Sequence, residues 1–455
     1  MMKQVDAYLE NQLDEAVESL RKLIRFASVR EPALENMPYG KPTYEALEYA
    51  LKLAESMGFE TKNYDGYAGR VEWGEGPKLG IFCHLDVVPA GLGWDYDPFG
   101  AEEVDGKIYG RGAMDDKGPT ISTLYVLKTL KDLGYQPPCK IQVLLGCCEE
   151  QDWSCLKYYA SKEPLPDFGF SPDADYPLAY SEKGILQCYF KKEHKSELRV
   201  NCNGSINVVP GVAYAQIPAK YLEGASLPET LEVEYDADTA KLTMNGLGGH
   251  AAHPELAKNS MLMLMEFFKT LSLPQADLDE VNFILDKLTH MYGAGLGFEV
   301  FPEEGDCTSM APTIAVWDGE TITLGQDLRH PPVLSEEAVL GRMEAQLGQN
   351  GYVLERHSYR PAHIMPPDST MVESLMDIFR RRSGHADAKP FAFSGGTYAR
   401  FIPKAVAFGC NPYKVPTRAH MPNEFISRDE MLFDMQCIAE AIVTLCEKRE
   451  AILSE

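Results

Sequence analysis

Leu79-Gly80-Ile81-Phe82-Cys83-His84-Leu85-Asp86-Val87-Val88-Pro89 is a short apolar run that ends on an imidazole and a carboxylate where a turn follows. Such a run, bounded by turn signals, reads as a strand buried on both faces. The texture returns at Ile141-Gln142-Val143-Leu144-Leu145-Gly146, which leads into Cys147-Cys148-Glu149-Glu150. Between the two, Gly110-Arg111-Gly112-Ala113-Met114-Asp115-Asp116-Lys117-Gly118 opens a stretch with Ile121, Leu124, Tyr125, Leu127 and Leu130 at helical spacing. Strand, helix and strand in alternation predict an α/β layer fold, in which loops at strand ends carry the ligand-binding groups.

The alternation extends over the first 180 residues or so. Leu13, Val17, Leu20, Leu23 and Ile24 recur at helical spacing, as do Tyr44, Leu47, Leu51 and Ala54 before Gly58. Beyond Gly184 the texture turns strand-rich, at 186–190, 231–235 and 313–316, with helical stretches at 260–271 and 336–346. From Pro366 the alternation resumes, predicting a helix at 371–382, a strand at 405–409 and a final helix at 428–448. A chain of 455 residues exceeds the usual single-core size, so two or three domains are expected.

Lys and Arg total 43 against 68 Asp and Glu, a net charge of -25, which argues against nucleic acid or an anionic membrane as partner. Residues 1–6 run directly into a charged amphipathic helix without an apolar stretch, so a cytoplasmic location is expected. The eleven cysteines are odd in number and scattered, which fits reduced thiols better than a disulfide framework. Cys147 and Cys148 are expected to pack as small apolar residues rather than to bind metal.

His84 and Asp115 come from separate loops, and an imidazole with a carboxylate suggests metal-assisted chemistry. Further donors follow at Glu149-Glu150, at Asp173 in Ser171-Pro172-Asp173-Ala174-Asp175, and at His420 in Ala419-His420-Met421-Pro422-Asn423-Glu424. Each alone has a blander reading, a strand-end cap or a solvated acidic pair. Together with the helix ending Leu23-Ile24-Arg25-Phe26-Ala27-Ser28-Val29, with Trp94-Asp95-Tyr96-Asp97-Pro98-Phe99 and with Phe393-Ser394-Gly395-Gly396-Thr397-Tyr398-Ala399-Arg400, they resemble metallopeptidase family 20. Within this aminoacylase and carboxypeptidase-like family of clan MH, the resemblance is greatest to the PepV-type di-zinc dipeptidases.

The resemblance implies an α/β di-zinc peptidase catalytic domain, residues 1–184 and 364–455, interrupted by an inserted α+β lid domain at 185–363. Carried over residue by residue, it makes Asp115 a carboxylate bridging two divalent ions. His84 and Asp173 would complete one position, and Glu150 and His420 the other. Zinc is the first expectation, with manganese or cobalt as alternatives. Glu149 would be the general base for a metal-activated water, and Asp86 would orient His84 from behind. Asp116 would support or cap the following helix, and Asp175 would not coordinate. From the lid, His250 in Gly248-Gly249-His250-Ala251-Ala252-His253-Pro254 would meet the substrate carbonyl or oxyanion, while His253 and His330 are read as surface or cleft residues. Asn207 and Arg329 match cleft-facing positions, Arg329 offering a fork for the substrate carboxylate, and Gly395, Gly396 and Thr397 would add donors.

The implied activity is that of a metal-dependent dipeptidase acting on short peptides with a free C-terminal carboxylate. An N-acyl-amino-acid amidohydrolase is the alternative, and a catalytically silent binding protein the non-enzymatic one. A lid this long would supply His250 within one chain, so a monomer is expected. One departure stands out: family members often carry Thr-Asp before the glutamate pair and Ser/Thr-Gly after it, whereas here the flanks are Cys147-Cys148 and Gln151-Asp152.

Overall fold

The computed structural model describes residues 1–298 and 307–455. They divide into two compact units, one of residues 1–181, 364–391 and 396–455, the other of 182–363 and 392–395. Residues 392–395, expected with the first unit, group with the second.

In the first unit the strands run in the order Glu60–Tyr64, Ala68–Trp73, Lys140–Gly146, Lys78–His84, Phe168–Ser171 and Ala405–Ala407. The last four are mutually parallel, and Ala68–Trp73 joins Lys140–Gly146 antiparallel. Helix Lys117–Asp132 is buried along most of its length, against helices Met2–Ile24 and Arg428–Glu447. The heptad-like apolar positions of Met2–Ile24 explain that packing: Val5, Leu9, Ala16, Val17, Leu20, Leu23 and Ile24 are all fully buried. The last of these helices begins at a capping box in which Ser427 and Glu430 satisfy each other's backbone amides. Strand 405–407 is shorter than the predicted 405–409 because the chain turns at Gly409, whose φ is +90°.

The second unit is an antiparallel sheet in the order Leu231–Asp236, Thr239–Asn245, Val212–Pro218, Arg199–Cys202, Ser309–Trp317, Thr321–His330, Gly184–Glu193 and Val353–Arg360. Helices Ser260–Phe268, Gln275–Leu288 and Glu336–Gly348 supply Met265, Ile284 and Met343 to the same apolar core as Leu186, Leu242 and Leu324 of the strands. Strand Val212–Pro218 alternates exposed and buried residues, as one covered and one open face require. Among the described residues no helix is long and apolar enough to cross a membrane. All eleven cysteines are free, and only Cys307 is not buried.

Candidate metal centre

The parallel register delivers three of the donors to one edge. His84 is the last residue of its strand and lies opposite Gly146, and Ile81 lies opposite Phe170. The turns after these strands therefore carry Glu149, Glu150 and Asp173 to the same side of the sheet. Asp115 comes from the turn before helix Lys117–Asp132, and His420 from the segment between Asn411 and Phe425.

Asp115 sits between the two imidazoles. His84 Nε2 is 2.9 Å from its Oδ1, and His420 Nε2 is 3.1 Å from its Oδ2. His84 Nε2 also faces Asp173 Oδ2 at 3.5 Å, and His420 Nε2 faces Glu150 Oε1 at 3.0 Å. One ligand atom each from His84, Glu149 and Asp173 lie within 4.8 Å of one another, and so do atoms of His84, Asp115 and Glu150. Glu149 is thus as close as the others, but its surroundings differ. Its Oε1 is buried and has no hydrogen-bond partner among the described residues, whereas Glu150 is engaged by His420.

The ring of His84 provides a test of whether a cation fits. Its Nδ1 lies 2.9 Å from the backbone oxygen of Asp86, which can only accept, so Nδ1 carries a proton. In the neutral ring Nε2 is then a bare lone pair aimed at two carboxylates, three acceptors converging with no donor between them. A divalent cation resolves that conflict. Without one, protons must: burial opposes charge on His84, but Asp173 and hydrogen bonds to Asp115, Asp173 and Asp86 overcome it and raise its pKa well above the usual range. His420, although 42 % exposed, is raised for the same reason by Glu150 and Asp115, against the effect of desolvation.

Burial shifts the acids as well. It raises Asp173 to about 7, assisted by the charge of Asp115, and drives Glu149 well above the carboxylate range. Glu150 is also raised, by burial first. At Asp115 burial is outweighed by hydrogen bonds from His420 and His84, which hold its pKa low. These are the features of a cluster that trades protons for metal, because ligands must be deprotonated to bind.

Asp86 meets His84, as expected, but through its main chain. Its backbone oxygen, rather than its carboxylate 3.6 Å away, holds His84 Nδ1. The carboxylate accepts from the amides of Glu149, at 3.0 Å, and Glu150, at 3.2 Å. Asp116 occupies the N-cap position but makes no side-chain cap bond; its Oδ2 accepts from the amide of His84 at 2.9 Å. Asp175 accepts from Asn411 Nδ2 at 2.7 Å. Cys147 and Cys148 are buried, and Cys148, its thiol pushed up to about 11 by burial, donates to Asp152.

Sequence reasoning gave no role to Tyr398 or Glu424. The Tyr398 hydroxyl meets Cys155 Sγ at 2.8 Å and crosses Gly146 so closely that a Cβ there would lie 2.2 Å from it. Glu424 is fully buried and paired with Arg111 at 2.6 Å. The Asn-Glu end of the His420 segment was on view in the sequence, but a buried partner for Glu424 was not. Thr397 is also buried, and its hydroxyl accepts from the Ala399 amide, capping the turn that carries Tyr398.

The second unit gathers its own predicted residues in two places. Asn207 and His250 are neighbours, since Ala251 N donates to Asn207 O at 2.9 Å and Val208 pairs with His250. His250 is exposed, and its Nδ1 accepts from Ala252 N at 3.1 Å, so the neutral ring carries its proton on Nε2. Arg329 is held side-on by Asp327, Nε to Oδ1 at 2.6 Å, while its NH1 donates to Ser394 O beside Gly395. His253 is exposed and paired with Glu255. His330 is not at the surface but fully buried, stacked on Tyr359.

Residues 80–444 match the family described as Peptidase family M20/M25/M40. A Beta-Ala-Xaa dipeptidase of Lactobacillus delbrueckii subsp. lactis is 32 % identical, covering 97 % of this chain and 98 % of its own. Among solved structures, human carnosine dipeptidase 1 aligns with a TM-score of 0.59 at 15 % identity over 98 % of this chain and 99 % of its own. The dipeptidase Dug1p of Saccharomyces cerevisiae aligns at 0.60 and 14 % identity, with the same coverage of each chain.

Proposed function

The chain belongs to peptidase family M20/M25/M40 and is a metal-dependent dipeptidase, and we propose that its substrates are short peptides with a free C-terminal carboxylate. The observation that carries the site is the convergence of bare acceptors around Asp115, with one oxygen of Glu149 unpartnered beside them. Asp115 would hold both ions, with His84 and Asp173 serving one and Glu150 and His420 the other. The donor set suits zinc, and manganese or cobalt would also fit. Bound there, two divalent ions supply polarisation of the scissile carbonyl and a lowered pKa of the attacking water.

Glu149, through its unpartnered oxygen, would hold the proton given up by an attacking water and pass it to the leaving amine. Asp86 fixes both ends of this arrangement, the ring of His84 through its carbonyl and the Glu149 backbone through its carboxylate. His250, protonated on Nε2, has a donor suited to a developing oxyanion. Asn207 adds a polar group to the same turn, and Gly395, Gly396 and Thr397 contribute backbone donors. Arg329 reads the substrate carboxylate, its guanidinium already oriented by Asp327. An insertion of this length can supply His250 from the same chain, and on that ground the enzyme is read as a monomer. Its free cysteines favour the reducing cytoplasm.

The test is an amine-release screen of metal-reconstituted protein against dipeptides, tripeptides and N-acyl amino acids. β-Ala-Xaa dipeptides belong in the panel because a full-length relative is named for them. Dipeptides are expected to be cleaved in preference. Preferential cleavage of N-acyl amino acids would assign the site to an amidohydrolase instead.

A further inference from the structure

Glu424 is fully buried, four residues beyond His420, and its carboxylate spans two loops. Oε1 accepts from the amides of Met114, at 2.9 Å, and Asp115, at 3.2 Å, so it holds the backbone of the bridging residue itself. Oε2 accepts from Arg111 NH1 at 2.6 Å, and the backbone oxygen of Glu424 accepts from Gly110 N at 2.9 Å. Arg111 returns to the His420 segment through Met421 O, at 3.3 Å, and reaches the loop after His84 through Ala90 O, at 3.2 Å. Glu424 therefore ties the turn of Asp115 to the segment of His420, and Arg111 alone reaches on to the loop after His84.

Two further features distinguish positioning from simple stabilisation. A buried charge pair is a weak source of stability, since apolar residues of similar volume commonly replace it without loss. And the segment it holds has an uncommon backbone: His420 and Asn423 have φ of +65° and +59°, in the left-handed region that His and Asn enter more readily than most residues but at some cost. Asn423 is further pinned by a reciprocal pair of 2.8 Å hydrogen bonds with Asp95.

We propose that Glu424 is a positioning residue that fixes Asp115 and His420 relative to each other, so that the metal position formed by Asp115, Glu150 and His420 depends on it more than the position formed by His84, Asp115 and Asp173. The inference rests on the two-ion reading. Two of the three ligands of the first position lie on segments that Glu424 ties, against one of the second. Gln in its place can still accept from Met114 and Asp115, but its amide nitrogen opposes a donor of Arg111.

Zinc-loaded full-length protein is challenged with graded chelator, and zinc retained per chain is measured. The wild type is expected to release two ions in two steps. In Glu424→Gln the first ion should leave at about 10–100-fold weaker chelation, the scale on which outer partners tune metal affinity, while the second is held near its wild-type strength. Combining Glu424→Gln with His420→Ala should weaken the first ion no further than His420→Ala alone. Should Glu424→Gln fail to fold, Glu424→Asp keeps a charge beside Arg111 but is one methylene too short to hold the Met114 and Asp115 amides as well, and the same uneven release is expected. Release of both ions as in wild type, or equal weakening of both, would overturn the positioning role. A wild type that holds only one ion would instead overturn the two-ion reading beneath it.

Discussion

Replacing Asp86 by Asn separates the two contacts that this residue makes. The expectation was that Asp86 orients His84. The structure gives that contact to the backbone oxygen, which no side-chain substitution removes, and gives the carboxylate to the amides of Glu149 and Glu150. Asn can accept from one of those amides but turns its own N–H groups toward the other. One hydrogen bond to a charged group, worth about 1.5–3 kcal/mol, is weakened, and a buried amide left unmet costs about 1–3 kcal/mol more. Asp86→Asn should therefore lose up to about 6 kcal/mol of stability, and at least the roughly 1 kcal/mol of the unmet amide. Displacement of Glu149 by an ångström would lower kcat on the order of 10²-fold. His84 keeps its tautomer, so zinc content should stay at the wild-type level. Amine release normalised to bound zinc, with thermal melts on the same samples, makes the comparison. Loss of one zinc per chain with unchanged turnover per loaded enzyme would show that Asp86 works through His84 after all.

Glu149→Gln should retain its metal and lose about 10²–10⁴-fold in kcat, because the amide cannot carry a proton; near-normal turnover in the metallated variant would remove Glu149 from the mechanism. Asp115→Ala should lower metal content at both positions, since one carboxylate serves both imidazole-bearing sides, and two tightly held ions in that variant would place the bridge elsewhere. His250→Ala should reduce kcat by about 10²–10³-fold with metal content and melting temperature unchanged, whereas lower stability with intact kcat would mean that the residue only packs. Asp434 is buried, and burial raises its pKa to about 7, against an ordinary value of 3.8. Its contribution to stability is therefore complete below pH 3.8 and lost as pH rises through 7. Asp434→Asn should flatten the decline in stability between pH 4 and 8, and an unchanged slope in thermal melts across that range would show that Asp434 does not titrate there.

What was legible in the sequence was local. Helices such as Met2–Ile24 and Arg428–Glu447 announce themselves by apolar spacing, and buried strands by runs such as 79–83 and 141–145. Helix Gln275–Leu288 was overlooked, although Val281, Ile284, Leu285 and Leu288 form its buried stripe and Pro274 precedes it. Strand Thr321–His330 was missed as well, because Gln326 and Asp327 interrupt the apolar texture. Both polar residues are fully buried, which no alternation rule predicts. The donors themselves could be named from motifs. The contacts among them could not, because Asp86 and Glu149 are brought together by the register of two strands whose pairing is non-local.

The same non-local pairing explains how the cluster can exist before a cation arrives. Asp115, Glu149, Glu150 and Asp173 crowd their carboxyl groups together, and burial favours the protonated form of Glu149 and Asp173 while no cation is bound. Asp86 and Glu424 hold the crowded turns in the same way, each a buried carboxylate that accepts from two consecutive backbone amides of a turn bearing a donor. A carboxylate bonded to amides anchors main chain rather than side chain, and charge-assisted bonds are about twice as strong as neutral ones. The turns are thus fixed by groups that do not themselves face the cation. A binding site preorganised in this way gives up little conformational freedom when metal enters, and the cation takes the place of the protons that the imidazoles and raised carboxyls hold without it.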